Sequence, residues 1–168
     1  MTGTQDQGAT QDQGEGVSGL GADGLPIFRV MEILSVGVDL PDTYPLLTLQ
    51  EAEAPLRQLV FPIGMAEGIA IANALRRLST ARPKTHDLFT TVLQRFGIDV
   101  VAVRLVGRVA ATYLAELDMM GQRGREVVPC RPTDGITLAL RQPVPAPVLA
   151  DERLFDGIDD VEPIGGRG

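Results

Sequence analysis

His86 is the chain's one histidine, and it sits in Arg82-Pro83-Lys84-Thr85-His86-Asp87-Leu88. A second segment, Arg131-Pro132-Thr133-Asp134-Gly135-Ile136, repeats the order Arg-Pro, then Thr, then Asp. A third, Phe61-Pro62-Ile63-Gly64-Met65-Ala66-Glu67-Gly68, adds a carboxylate where a strand gives way to a helix. Imidazole suits proton transfer near neutral pH. Guanidinium groups hold phosphate or carboxylate oxygens in pairs. The set fits chemistry on a phosphate ester. His86, Asp87, Asp134 and Glu67 are candidate catalytic groups, and Arg82, Arg131 and Lys84 candidate phosphate ligands. Asp87, Asp134 and Glu67 are also candidate ligands for Mg²⁺ or Mn²⁺, which prefer oxygen. The same residues read equally as helix caps, because Thr and Asp satisfy free N–H groups of a first turn and Pro extends the residue before it.

Positioning these groups requires strands and helices to meet at their ends. Phe28 to Val38 is a β-branched run closed by Pro41, and Pro45–Leu49 and Leu56–Ile63 read as further strands. Met65–Leu78 carries Ile71, Leu75 and Leu78 at helical spacing. Thr85 reads as the N-cap of a second helix, in which Leu88, Val92 and Phe96 recur every four residues before Gly97. Ile98–Val106 and Val109–Met119 read as a hairpin turning at Gly107-Arg108, followed by a short strand at Arg125–Val128. Thr133 or Asp134 then caps a third helix ending at Arg141. Val144–Leu149, punctuated by prolines, reads as an edge strand, and Asp151–Phe155 as a short helix. The expected architecture is α+β: a single domain over 26–156, mostly antiparallel sheet with three to four helices. Residues 1–25, with Thr-Gln-Asp-Gln-Gly at 4–8 and 10–14, read as a disordered tail, and 157–168 as a loose acidic tail.

Composition narrows the chemistry. The 168 residues suffice for one domain with a core, built from aliphatic side chains because aromatics are 4% and Trp is absent. The net charge of −7 resides in the ends; the middle of the chain is close to neutral. One Cys excludes an intrachain disulfide and a multi-Cys zinc site, and one His excludes HExxH. Cys130 reads first as a small core residue, although Arg131 beside it would favour a thiolate. With three serines there is no Gly-x-Ser-x-Gly, and no Gly-x-x-x-x-Gly-Lys-[Ser/Thr] occurs. No apolar run is long enough for a spanning helix, and the first basic residue is Arg29, unlike a secretory signal. The expectation is a cytoplasmic protein with no membrane contact. The few aromatics argue against sequence-specific reading of single strands.

Ile-Gly-x-x-Glu-Gly-x-Ala-Ile-Ala at 63–72, Arg-Pro-x-Thr-His-Asp-Leu at 82–88 and Arg-Pro-Thr-Asp-Gly-Ile-x-Leu-Ala at 131–139, in this order, resemble the bifunctional nuclease domain family. The resemblance covers roughly 28–150. It implies a self-associating α+β domain with DNase and RNase activity in some members. The family's shared polar residues fall on Glu67, Arg82, Thr85, His86, Asp87, Arg131, Pro132 and Asp134. The sequence departs from the pattern at Thr133, commonly Ser, and Gly135, commonly Ala.

Two functions therefore stand side by side: a non-specific nuclease acting on DNA or RNA, and a non-catalytic module binding an anion, nucleic acid or protein through a structural Arg/His/Asp cluster. A homo-oligomer, most simply a dimer, is expected from the resemblance and from an exposed strand edge. Both readings require the two Arg-Pro segments to converge.

Overall fold

The computed structural model describes residues 19–38, 43–78 and 81–157. Among the described residues there are seven strands: β1 (Phe28–Gly37), β2 (Leu46–Glu51), β3 (Gln58–Pro62), β4 (Asp99–Val109), β5 (Thr112–Gly121), β6 (Gly124–Cys130) and β7 (Val148–Asp151). They form one sheet in the order β3-β2-β1-β7-β4-β5-β6, antiparallel throughout except for the β4–β7 pair. Among the described residues three helices accompany it: α1 (Met65–Leu75), α2 (Thr85–Arg95) and α3 (Pro132–Leu140), with a 3-10 turn at Glu152–Phe155. The α+β class and the mainly antiparallel sheet agree with the sequence.

One face of the sheet forms the core. Leu47 and Leu49, Leu59 and Phe61, Val103 and Leu105, and Val148 and Ala150 are buried at every second position along their strands. α3 packs on β4 and β5, and α1 packs against α3, with Ile71 and Ile136 buried between. These contacts bring the starts of α1 and α3 to the same end of the sheet.

Three local readings are corrected, and the stripe on α2 is placed. β7 lies in the middle of the sheet, pairing β1 on one side and β4 on the other, not at an edge. Its prolines, 143, 145 and 147, lie in the approach and leave the N–H groups of 148–151 free to pair. The β4–β5 turn falls at Ala110-Ala111, where Ala110 has φ 50° and Val109 pairs with Thr112. Gly107 instead pairs with Leu114 next to a register shift, so its small size serves a bulge. Lys84, not Thr85, is the N-cap residue of α2, and Arg131 that of α3. The Leu88, Val92, Phe96 stripe faces outward: α2 buries Thr90 and Leu93, while Phe96 is 72% exposed.

The tail assignments for 1–18 and 158–168 lie outside the described residues. From Gly19 the chain turns back, Leu20 bridging Pro26. Gly19 (φ 87°) stands so close to Arg153 that a Cβ would come within 2.4 Å of its Cγ.

Candidate active site at three helix starts

Each of the three helices carries an acidic residue at its third position: Glu67 in α1, Asp87 in α2 and Asp134 in α3. A carboxylate there can fold back on the first turn and is favoured by the helix dipole. Glu67 does so, its Oε2 accepting the Gly64 N–H at 2.7 Å. Asp87 does the same, its Oδ2 accepting the Lys84 N–H at 3.1 Å. Asp134 differs, turning both oxygens to side chains. Oδ2 accepts from Arg131 Nε at 2.7 Å, and Oδ1 accepts from Arg131 Nη2 at 3.1 Å. His86 Nε2 stands 3.1 Å from the same Oδ1. Pro132 opens α3, where its missing N–H has no intrahelical acceptor to lose.

Arg131 extends the chain of contacts to a third helix, its Nη1 donating to Glu67 Oε1 at 2.9 Å. His86, Asp134, Arg131 and Glu67 therefore form one connected group drawn from α2, α3 and α1. Asp87 belongs to a neighbouring contact: its Oδ1 lies 3.1 Å from Arg141 Nε, and Arg141 Nη1 also donates to the Leu78 carbonyl at 2.9 Å. Arg82 and Lys84 are exposed on the connection leading into α2. Sequence reasoning had placed Arg141 only at a helix end; its value as the clamp on Asp87 depends on α2 packing beside α3, which no local signal reveals.

Electrostatics follow the contacts. Burial alone would raise the Asp134 pKa, but hydrogen bonds from Arg131 and His86 outweigh it and hold the carboxyl below its ordinary range. Asp134 is therefore an anion at neutral pH, and as an acceptor only it requires a proton on His86 Nε2. Cys130, half-buried under α3, has its thiol pushed up to about 11 by burial and by the charge of Asp134. It is a neutral thiol at pH 7, in line with a packing role.

The carboxylates do not fit a divalent cation. Glu67, Asp87 and Asp134 each have both oxygens engaged by N–H donors or by an arginine. Among the described residues no three His, Cys, Asp or Glu side chains cluster as a metal site. Mg²⁺ or Mn²⁺ would need several oxygens freed at once. Also among the described residues, no helix is long and apolar enough to cross a membrane.

Glu67 and Arg131 border an open cleft of about 500 Å³ between the start of α1, the β4–β5 turn and the end of β6. The bifunctional nuclease domain model aligns with residues 47–159. Uncharacterized proteins from two strains of Mycobacterium tuberculosis are 33% identical over 115 residues, 68% of this chain and 68% of theirs. A protein of Oryza sativa subsp. japonica named bifunctional nuclease 2 is 28% identical over 134 residues, 77% of this chain and 41% of its own length. The chain belongs to the bifunctional nuclease domain family.

Proposed function

We propose that this protein cleaves phosphodiester bonds in RNA or DNA, with His86 moving the proton. The observation that carries the reading is Asp134, which leaves the capping role its counterparts keep and takes hold of His86. With the Nε2 proton donated to Asp134, the lone pair lies on Nδ1. That nitrogen takes a proton from the attacking oxygen, of water or of a ribose 2′-hydroxyl, as it bonds to phosphorus. The imidazolium so formed is stabilised by Asp134 and returns the proton to the leaving oxygen as its bond to phosphorus breaks. Of the five N–H donors of Arg131, three are used by Asp134 and Glu67; two remain for non-bridging phosphate oxygens. Arg82 and Lys84 add positive charge on the entry to α2. Family membership and the name of the Oryza sativa relative support a nuclease-like or nucleic-acid-binding role.

One observation favours the second reading, a binding module without catalysis. Arg131 is already held by two carboxylates, as expected for a latch between helix starts. Incubation of labelled RNA and DNA with EDTA, Mg²⁺ or Mn²⁺ separates the two. The nuclease reading expects cleavage that persists in EDTA, since the carboxylates are committed to nitrogen donors. Retained binding with no cleavage under any condition leaves the module.

Self-association is part of the same proposal. Leu88, Phe89, Val92 and Phe96 lie exposed along α2, an apolar stripe of the kind that a second copy covers.

A further inference from the structure

We infer that the cleft beside Arg131 is a pocket for one unstacked nucleobase, so that the enzyme acts on single-stranded segments and ends rather than on intact duplex. The inference rests on the phosphate role proposed for Arg131 and names what lies next to that phosphate. The cleft volume, about 500 Å³, falls within the roughly 300–1,000 Å³ of small-ligand sites. Its walls are flat or apolar: Phe61 and Pro62 from β3, Tyr113 and Leu114 from β5, Pro129 and Cys130 from β6. Its charged groups, Glu67 and Arg131, come from the helix starts. A ligand that matches has a flat, weakly polar body and an anionic group at one side, which describes a nucleotide.

The walls are held before any ligand arrives. The Phe61 and Tyr113 rings pack with centroids 4.7 Å apart at 37°, which fixes Tyr113 against the buried Phe61. The Arg108 guanidinium stands 5.9 Å from the Tyr113 ring centroid. Cys130 stays an uncharged thiol, so the β6 wall beside Pro129 carries no thiolate. A base inside a duplex is stacked and paired, and its entry would first require unstacking and unpairing that a single strand does not.

The test is calorimetric titration of the full chain with adenosine 5′-monophosphate, ribose 5-phosphate and inorganic phosphate. The nucleotide is expected to bind at least about tenfold tighter than ribose 5-phosphate, the scale of one base–aromatic contact. Tyr113→Ser is expected to remove that margin and leave inorganic phosphate binding unchanged; Tyr113→Phe is expected to keep it. Should Tyr113→Ser not fold, amide shift changes at Tyr113 and Cys130 on adding the nucleotide to wild-type protein carry the test. Equal affinity for nucleotide and ribose 5-phosphate, or shift changes confined to other surfaces, overturns the base pocket and leaves Arg131 as a phosphate ligand. Inorganic phosphate that fails to bind, or binds equally to Arg131→Gln, overturns the phosphate role and the pocket with it.

Discussion

His86 Nε2 and Asp134 Oδ1 meet at 3.1 Å although 48 residues separate them in the chain. The contact joins the first turns of α2 and α3, two segments that read almost alike in sequence. Similar Arg-Pro/Thr/Asp starts thus give two different outcomes. Asp87 caps its own helix, whereas Asp134 reaches across to the imidazole of the other.

Arg131 is the main partner that holds Asp134 ionised. Replacing it with Gln should move the Asp134 carboxyl titration upward, as followed by carbon NMR of the side chain. The fold should lose no more than about 1 kcal/mol, because Arg131 is 68% exposed and solvent screens the pair. An Asp134 titration unmoved in Arg131→Gln would mean that the guanidinium does not set its charge.

Acid should destabilise the domain in a defined direction. Asp118 is lowered by the hydrogen bond from Arg125, Glu51 by that from Arg57, Glu152 by that from Arg29, and Asp134 as described. Each binds protons more weakly folded than unfolded. The stability they contribute is complete above their ordinary values of 3.8 and 4.5 and is lost as pH falls through the lower folded values. Thermal melts should show this contribution unchanged from pH 7 to about 5 and declining below about 4. Asp118→Asn should shallow that acid slope; an unchanged slope would remove Asp118 from the account of acid sensitivity.

Gly135 sits in a tightly packed spot on α3. A Cβ there would lie 3.0 Å from Cys130 Sγ and 3.1 Å from Val103 Cγ1. Gly135→Ala gains up to about 1 kcal/mol in helix propensity, but overpacking a tight site costs about 1–3 kcal/mol. The net effect should be a lower Tm, with a smaller drop when Cys130→Ala is made first. A higher Tm for Gly135→Ala alone would show that the neighbours yield easily.

Much of the site was legible because helix starts have strong local grammar. Arg-Pro, Thr and a third-position acid mark α2 and α3, and Gly64 with Glu67 marks α1, whatever the tertiary fold. Their convergence was an expectation that only the packing of α1 against α3 and of α2 beside α3 could realise. What stayed hidden depends on partners distant in the chain. Val144–Leu149 reads as an edge because of its prolines, yet β7, which begins at Val148, has β1 and β4 on its two sides. The stripe on α2 has core periodicity, but the buried side of that helix is set by Thr90 and Leu93. Tyr113 lines the cleft from β5, one residue beyond the Val109–Thr112 pair that closes the β4–β5 turn.

The outward stripe on α2 yields a direct prediction of assembly. Light scattering at micromolar concentration should give a multiple of the 17.9 kDa chain mass. Phe96→Glu, at a 72% exposed position, should shift the mass toward monomer without lowering helix content. A wild-type monomer would remove self-association, and an unshifted Phe96→Glu oligomer would place the interface elsewhere.

The central claim is that His86, held by Asp134, transfers the proton in phosphodiester cleavage, and single-turnover cleavage of labelled RNA and DNA by purified His86→Gln beside wild type tests it most directly. The expected result is a rate lower by roughly 10²–10⁴ with the circular dichroism spectrum unchanged. Cleavage by His86→Gln at the wild-type rate, with the fold intact, would contradict it and return the cluster to a structural latch.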